Sequence, residues 1–317
     1  MLTQTPGTQL PPAHKNAAGN TSSPAVKLRQ KLLAWRVGAV FTAGFALFLT
    51  WATWRFFVDT WLGQSIDTLA FEGSKVGRNT LWPLAKPVLE VVSTGFLAAG
   101  ILALCGVAVF QRRYSLAFQA VVLIAGANFT TQILKEYILS RPDFGFPDNW
   151  GNSLPSGHTT VAASLAAALV IVAPVKLRPL ATVLGVAYAV GTGVSTLVGQ
   201  WHRVSDVLAA ILVVLTWAIL VCGLTPLQSL GEKQKPGSDV ISKFVAVSLF
   251  IVGALAVVSA IVLIFPELPF GDGRYSATQS VREVRAYAWG VSAVFGTTAV
   301  GFGFLLALRS RLGKQTQ

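Results

Sequence analysis

Gln200-Trp201-His202-Arg203-Val204-Ser205-Asp206 is a polar stretch wedged between two apolar runs, about Pro179 to Gln200 and Val204 to Leu224. Each run is long enough for a helix across the hydrocarbon core of a bilayer, which takes about 20 residues. The polar stretch then falls at a water-facing edge, where a titratable side chain is costly unless it has a partner or a task. His202 and Asp206 are one helical turn apart, so the carboxylate can hold one imidazole nitrogen and leave the other free. A histidine held that way is an oriented nucleophile or base.

The same reading extends to the whole chain of 317 residues, which is 53% hydrophobic and only 12% charged, with a mean hydropathy of +0.61. That composition excludes a soluble domain and predicts a multi-pass membrane protein. The net charge of +12 does not point to nucleic acid, because the charges punctuate apolar spans and form no patch with interleaved aromatics. Cys105 and Cys222 lie inside apolar runs and read as small core residues, with no disulfide and no metal assigned to them.

Only 3 histidines occur. The second one at a membrane edge is in Leu154-Pro155-Ser156-Gly157-His158, where Ser156 is a plausible helix cap and Gly157 keeps the backbone bare as a helix begins. N–H groups at a helix start favour an anion, especially phosphate. Upstream, Lys135 and Arg141-Pro142 end another apolar segment and offer the positive charge a phosphate needs. The third histidine, His14, lies in the amino-terminal tail and has no role here.

These three blocks resemble the signature of the type 2 phosphatidic acid phosphatase superfamily: Lys-x6-Arg-Pro, then Pro-Ser-Gly-His, then Ser-Arg-x5-His-x3-Asp. The second block is complete, and the third matches at Ser195, His202 and Asp206. Five residues rather than six separate Lys135 from Arg141, and Thr196 stands where the family has arginine. A hydroxyl cannot replace a bidentate guanidinium, so Arg203 is a candidate source of the missing charge. By itself Arg203 also reads as an interfacial arginine reaching lipid headgroups.

Taken in order, residues 1–32 read as a disordered cytoplasmic tail ending in the basic Lys27, Arg29 and Lys31. A first helix, about Leu33 to Phe57, is too long for a signal-peptide core. Val58 to Trp82 reads as a mixed loop holding a short amphipathic surface helix. Helices follow at about Pro83 to Phe110, Ser115 to Leu139 and His158 to Val175, before the two runs flanking His202. On the second of these, Asn128, Gln132 and Lys135 share one face, which should line a polar cavity. The loop between Ser140 and Gly157 carries Asp143, Phe144, Phe146, Asp148 and Trp150, its aromatics reading as an interfacial rim.

The predicted fold is all-α: a transmembrane helical bundle with a six-helix catalytic core over residues 33–224 and a C-terminal helix pair, about eight membrane helices in all. A polar linker over 225–242 divides the two parts. The pair occupies 243–308, about Lys243 to Phe265 and Ala286 to Leu308, and a basic tail occupies 309–317. Gly253, Gly290, Gly296, Gly301 and Gly303 suit close helix packing. With the amino terminus inside, fifteen of the 25 Lys and Arg residues fall on the cytoplasmic side and ten outside. Both termini are then cytoplasmic, and Lys135, His158 and His202 emerge together on the extracytoplasmic side of the cell membrane.

The resemblance implies that His202 attacks phosphorus to give a phosphohistidine, with Asp206 holding its other nitrogen, and that His158 protonates the leaving alkoxide and then activates water. Lys135, Arg141, Ser156 and Gly157 would hold the phosphoryl oxygens, with Thr196 and Arg203 as further candidates. The implied substrate is a membrane lipid phosphate, isoprenoid or glycerolipid, with no cofactor, no metal and no nucleic-acid partner. Each block also has a plain reading alone: a helix start, a satisfied interfacial pair, a snorkelling Lys135. Trp201 reads as an interfacial anchor, and Glu90 and Glu136 as solvated acids. Three alternatives stay open: a zinc or iron site made by His158, His202 and Asp206, a transporter, and a phosphotransferase using the same residues.

Overall fold

The computed structural model describes residues 24–91, 94–146, 151–224, 238–269, 271 and 277–314. Nine long helices are described: α1 (Pro24–Phe57), α2 (Trp61–Val91), α3 (Thr94–Phe110), α4 (Tyr114–Ile133), α5 (Gly157–Val172), α6 (Arg178–Val198), α7 (Val204–Leu224), α8 (Ser238–Ile264) and α9 (Gln279–Lys314). A π-helical turn, Leu134–Ile138, continues α4, and a 3-10 turn, Phe265–Glu267, follows α8. Among the described residues there is no strand.

Six segments are long and apolar enough to cross a membrane: Leu32–Phe57, Tyr114–Ile138, Arg178–Val198, Val204–Leu224, Val240–Glu267 and Gln279–Ser310. Two further apolar segments, Ala98–Phe110 and Gly157–Val172, are shorter than that, against the eight spans expected. The chain is a multi-pass helical membrane protein. The tail over residues 1–23, most of the linker, and Asp148 and Trp150 of the expected rim lie outside the described residues.

Burial separates the helices into inner and outer ones. On α5 and α7 nearly every side chain is buried, including Ala162, Ala163, Ala167, Val170 and Ile171 on the former and Val207, Ala210, Ile211 and Val214 on the latter. A helix apolar all round belongs in the interior, and these two form the axis of the bundle. The outer faces of α1, α8 and α3 expose Phe41, Phe45, Phe48, Phe244, Ile251, Leu255 and Leu102, as lipid contact requires. The α4 face bearing Asn128 and Gln132 turns toward α5: Asn128 Nδ2 donates to Ser164 Oγ at 3.2 Å, and Gln132 Nε2 lies beside Gly157.

Two expectations change. Val58 to Trp82 is not a loop with a short surface helix, because α2 runs unbroken through Pro83 and Pro87 to Val91. Both proline rings are exposed, and the apolar stripe Ile66, Leu69 and Ala70 packs into a core with Leu197, Val207, Ile211 and Trp289. Mixed composition hid an amphipathic helix, and the prolines read as a start where none exists. The C-terminal helices are also less separate than the linker implied. Whereas α8 is mostly exposed, α9 lies against α2, α6 and α7 and buries Trp289, Val294, Phe302, Leu305 and Leu306.

Small residues make that contact possible. A Cβ on Gly290 would sit 2.4 Å from Val204 Cγ2, and one on Gly301 would sit 2.3 Å from Leu215 Cδ1. On α2, Gly73 and Gly77 repeat the four-residue spacing against Glu283 and Tyr287 of α9. A Cβ at Gly73 would lie 2.0 Å from the Glu283 carbonyl oxygen, which cannot rotate away. Gly73→Ala is therefore expected to destabilise the protein by about 1–3 kcal/mol as α2 and α9 are forced apart. Thermal unfolding in detergent would read this as a lowered midpoint, and an unchanged midpoint would contradict the packing described.

Candidate active site

The three blocks meet at one end of the bundle. Lys135 lies in the π turn after α4, His158 in the first turn of α5, and His202 just before α7. The rings of His158 and His202 are 6.2 Å apart between centroids and inclined by 61°. The charges of His202 and Lys135 both bear on the His158 ring.

His202 is 8% exposed, and its Nδ1 is 3.1 Å from Asp206 Oδ2. The carboxylate thus takes Nδ1 and leaves Nε2 as the other ring nitrogen. Asp206 is fully buried and its Oδ2 also accepts from Ser153 Oγ at 2.7 Å and the Arg203 N–H at 3.0 Å. These donors hold the carboxylate in one orientation, and through it the imidazole.

The block around His158 is tied to the block around His202 through the backbone, since the Ser156 N–H donates to the Asp206 carbonyl at 2.9 Å. A cis Leu154–Pro155 bond precedes it. Ser156 caps α5 as expected, its Oγ accepting from the Thr159 N–H at 3.3 Å and from Thr159 Oγ1 at 3.0 Å. A Cβ on Gly157 would meet only Gln132 Nε2, at 4.0 Å, so there is open space beside the start of α5. Asn152 closes the group, its Nδ2 donating to the carbonyls of Lys135 and Leu154 at 3.2 and 3.0 Å.

Arg141 follows the π turn on a segment held by two distant helices. Trp54 Nε1 of α1 donates to the Ser140 carbonyl at 2.8 Å, and Gln64 Nε2 of α2 donates to the Pro142 carbonyl at 2.8 Å. Arg141 Nε and Nη2 are buried and have no hydrogen-bond partner among the described residues. Burial, and next the Arg203 guanidinium, press the Arg141 pKa below its ordinary value. Arg203 is 5% exposed and lies over the Phe71 ring at 5.4 Å. A guanidinium with buried donors unmet, in the field of a second guanidinium, forms an electrostatic environment that an anion would relieve.

Thr196 Oγ1 donates to the Gly193 carbonyl at 2.7 Å, so its hydroxyl proton is engaged within its own helix. Its carbonyl accepts the N–H groups of Trp201 and His202 at 3.0 and 3.4 Å, shaping the turn that presents His202. Arg203 and Arg141 carry the positive charge on this side instead. Trp201 is 47% exposed and its ring lies 5.3 Å from that of His158. Glu136 is exposed, and Glu90 pairs with Lys86 at 3.6 Å.

Sequence reasoning missed Ser153, Asn152, Trp54, Gln64 and Asp67. Asp67, on α2, is fully buried and accepts from the Ser205 N–H at 3.3 Å and from Ser205 Oγ. The available signal was a lone acid within the apolar stripe Ile66, Leu69, Ala70, which is legible only once α2 is recognised as a helix.

A histidine pair, a carboxylate on one of its rings and two guanidinium groups at the end of a membrane bundle are a constellation suited to phosphate-ester chemistry. Residues 116–228, from α4 to just beyond α7, match the family model of the PAP2 superfamily. Neither a curated protein nor a solved structure matches the chain.

Proposed function

We propose that this protein hydrolyses a lipid phosphate or diphosphate monoester at the outer membrane–water interface through a phosphohistidine. The observation that carries the reading is the 6.2 Å separation of the His158 and His202 rings beside unmet guanidinium donors on Arg141. A phosphoryl group between the rings has an attacking nitrogen on one side and a proton donor on the other.

His202 Nε2 attacks phosphorus, forming a P–N bond as the ester P–O bond breaks. The departing alkoxide takes its proton from His158, and Asp206 stabilises the positive ring of phosphorylated His202. Water then gives a proton back to His158 as its oxygen attacks phosphorus, breaking the P–N bond and releasing phosphate. Lys135, Arg141, Arg203, the Ser156 hydroxyl and the Gly157 N–H hold the equatorial oxygens, where negative charge gathers. The cationic side chains supply the charge neutralisation.

The lysine and arginine distribution supports cytoplasmic termini and an extracytoplasmic site in the cell membrane. An interfacial site suits a substrate whose tail remains in the bilayer, whether an isoprenoid or a glycerolipid phosphate. The test is phosphate release from a panel of such lipids by detergent-solubilised protein in excess chelator. Release that persists under chelation supports the reading, whereas release that needs a divalent cation points to a metal site at the same residues. A new phosphate ester formed with an added alcohol, at the expense of free phosphate, identifies a transferase. Uptake into proteoliposomes with no release identifies a transporter.

A further inference from the structure

Asp67 lies outside the matched segment 116–228 and outside all three blocks, yet its carboxylate is enclosed beside the site. Its hydrogen-bond donors are the N–H and hydroxyl of Ser205, in the first turn of α7 between Arg203 and Asp206. The charge of Asp67 acts on both Arg141 and Arg203. It does so through space: Arg141 Nε and Nη2 have no hydrogen-bond partner among the described residues, so this carboxylate does not occupy them.

That separation matters chemically. The charges of Arg141 and Arg203 act on each other unfavourably, and a counter-charge eases this while no substrate is bound. A direct ion pair to Arg141 would supply it but would consume the donors that phosphoryl oxygens require. Tethering the carboxylate to Ser205 keeps the negative charge close and the donors open.

Resting on the proposed reading of the site, we infer that Asp67 is a built-in counter-charge that opposes bound phosphate and thereby sets how tightly the site holds substrate and product. Burial, and next the charge of Asp206, raise its carboxyl to about 6, while Ser205, Arg141 and Arg203 pull it back. A carboxyl with that pKa is ionised at and above neutral pH, where the opposition is in force. Without it, three cations and a helix start would bind inorganic phosphate too firmly for rapid release.

The experiment compares wild type with Asp67→Asn and Asp67→Ser in phosphate release slightly above neutral pH, with inorganic phosphate as inhibitor. Removing one charge this close to the cations is expected to lower the inhibition constant for phosphate by about 10-fold and to lower kcat with it, as product leaves more slowly. Asp67→Glu restores the charge and is expected to return the inhibition constant toward the wild-type value. A carboxylate that only caps α7 would leave phosphate inhibition unchanged in the neutral variants while lowering their thermal midpoint, and that result overturns the inference. Either neutral variant decides the matter if the other fails to fold. Wild-type protein without phosphate release would instead sink the reading of the site itself.

Discussion

His202→Ala is expected to lower phosphate release by about 10⁴-fold or more, the scale reached when a covalent nucleophile is removed from a site whose parts act as a unit. Among the described residues the remaining imidazole, His158, starts a different helix, so none stands ready to replace His202. The loss should fall on kcat, since Arg141, Arg203 and Lys135 still hold the phosphate. Rapid-quench measurements with radiolabelled substrate provide the second readout. Wild-type protein should carry a transient label that acid removes and base does not, as a phosphoramidate does, and the variant should carry none. Release within about 10-fold of wild type would remove His202 from the nucleophile's role.

His158→Ala carries the next largest effect, and its signature depends on the leaving group. A positioned general acid is worth about 10²–10⁴ in rate, so hydrolysis of an alkyl phosphate is expected to fall by that factor. An aryl phosphate whose phenol leaves without protonation should lose far less in the first step. Its label should then build up on His202, because dephosphorylation still lacks the base that activates water. Trp201 packs on the His158 ring, so a thermal midpoint measured alongside separates lost chemistry from a disturbed interface. Equal losses in the first step, measured as the rate of leaving-group release in a single turnover with both substrates, would show that His158 is not the proton donor.

What could be read along the chain followed from short-range geometry. The i,i+4 spacing of His202 and Asp206 predicted a contact that exists at 3.1 Å, and Ser156 caps its helix as its position implied. Lys135 and Arg141 were visible as cations, but between them the helix widens into a π turn and ends, so residue spacing said nothing about where they point. The hydrogen bond of Thr196 was illegible for a related reason: a hydroxyl on a helix has a backbone carbonyl within reach, and Gly193 takes its proton. The links from Trp54 to Ser140, Gln64 to Pro142 and Ser153 to Asp206 join residues 86, 78 and 53 positions apart, with no periodic pattern to announce them. Asp67 and Ser205 are 138 positions apart.

The sequence by itself determined that the chain crosses a membrane many times as helices, because apolar runs of that length cannot be solvated and their backbone groups must bond within each segment. It also singled out the candidate residues for the chemistry, since so few titratable groups border those runs. Only the tertiary structure decided that α2 is a long helix packed into the bundle, that α9 belongs to the core, and that Asp67 stands beside the arginines. The reason is that a mixed or amphipathic segment is stabilised by whatever face another helix offers it. A buried charge, likewise, is tolerable or costly only according to the neighbours that distant parts of the chain bring to it.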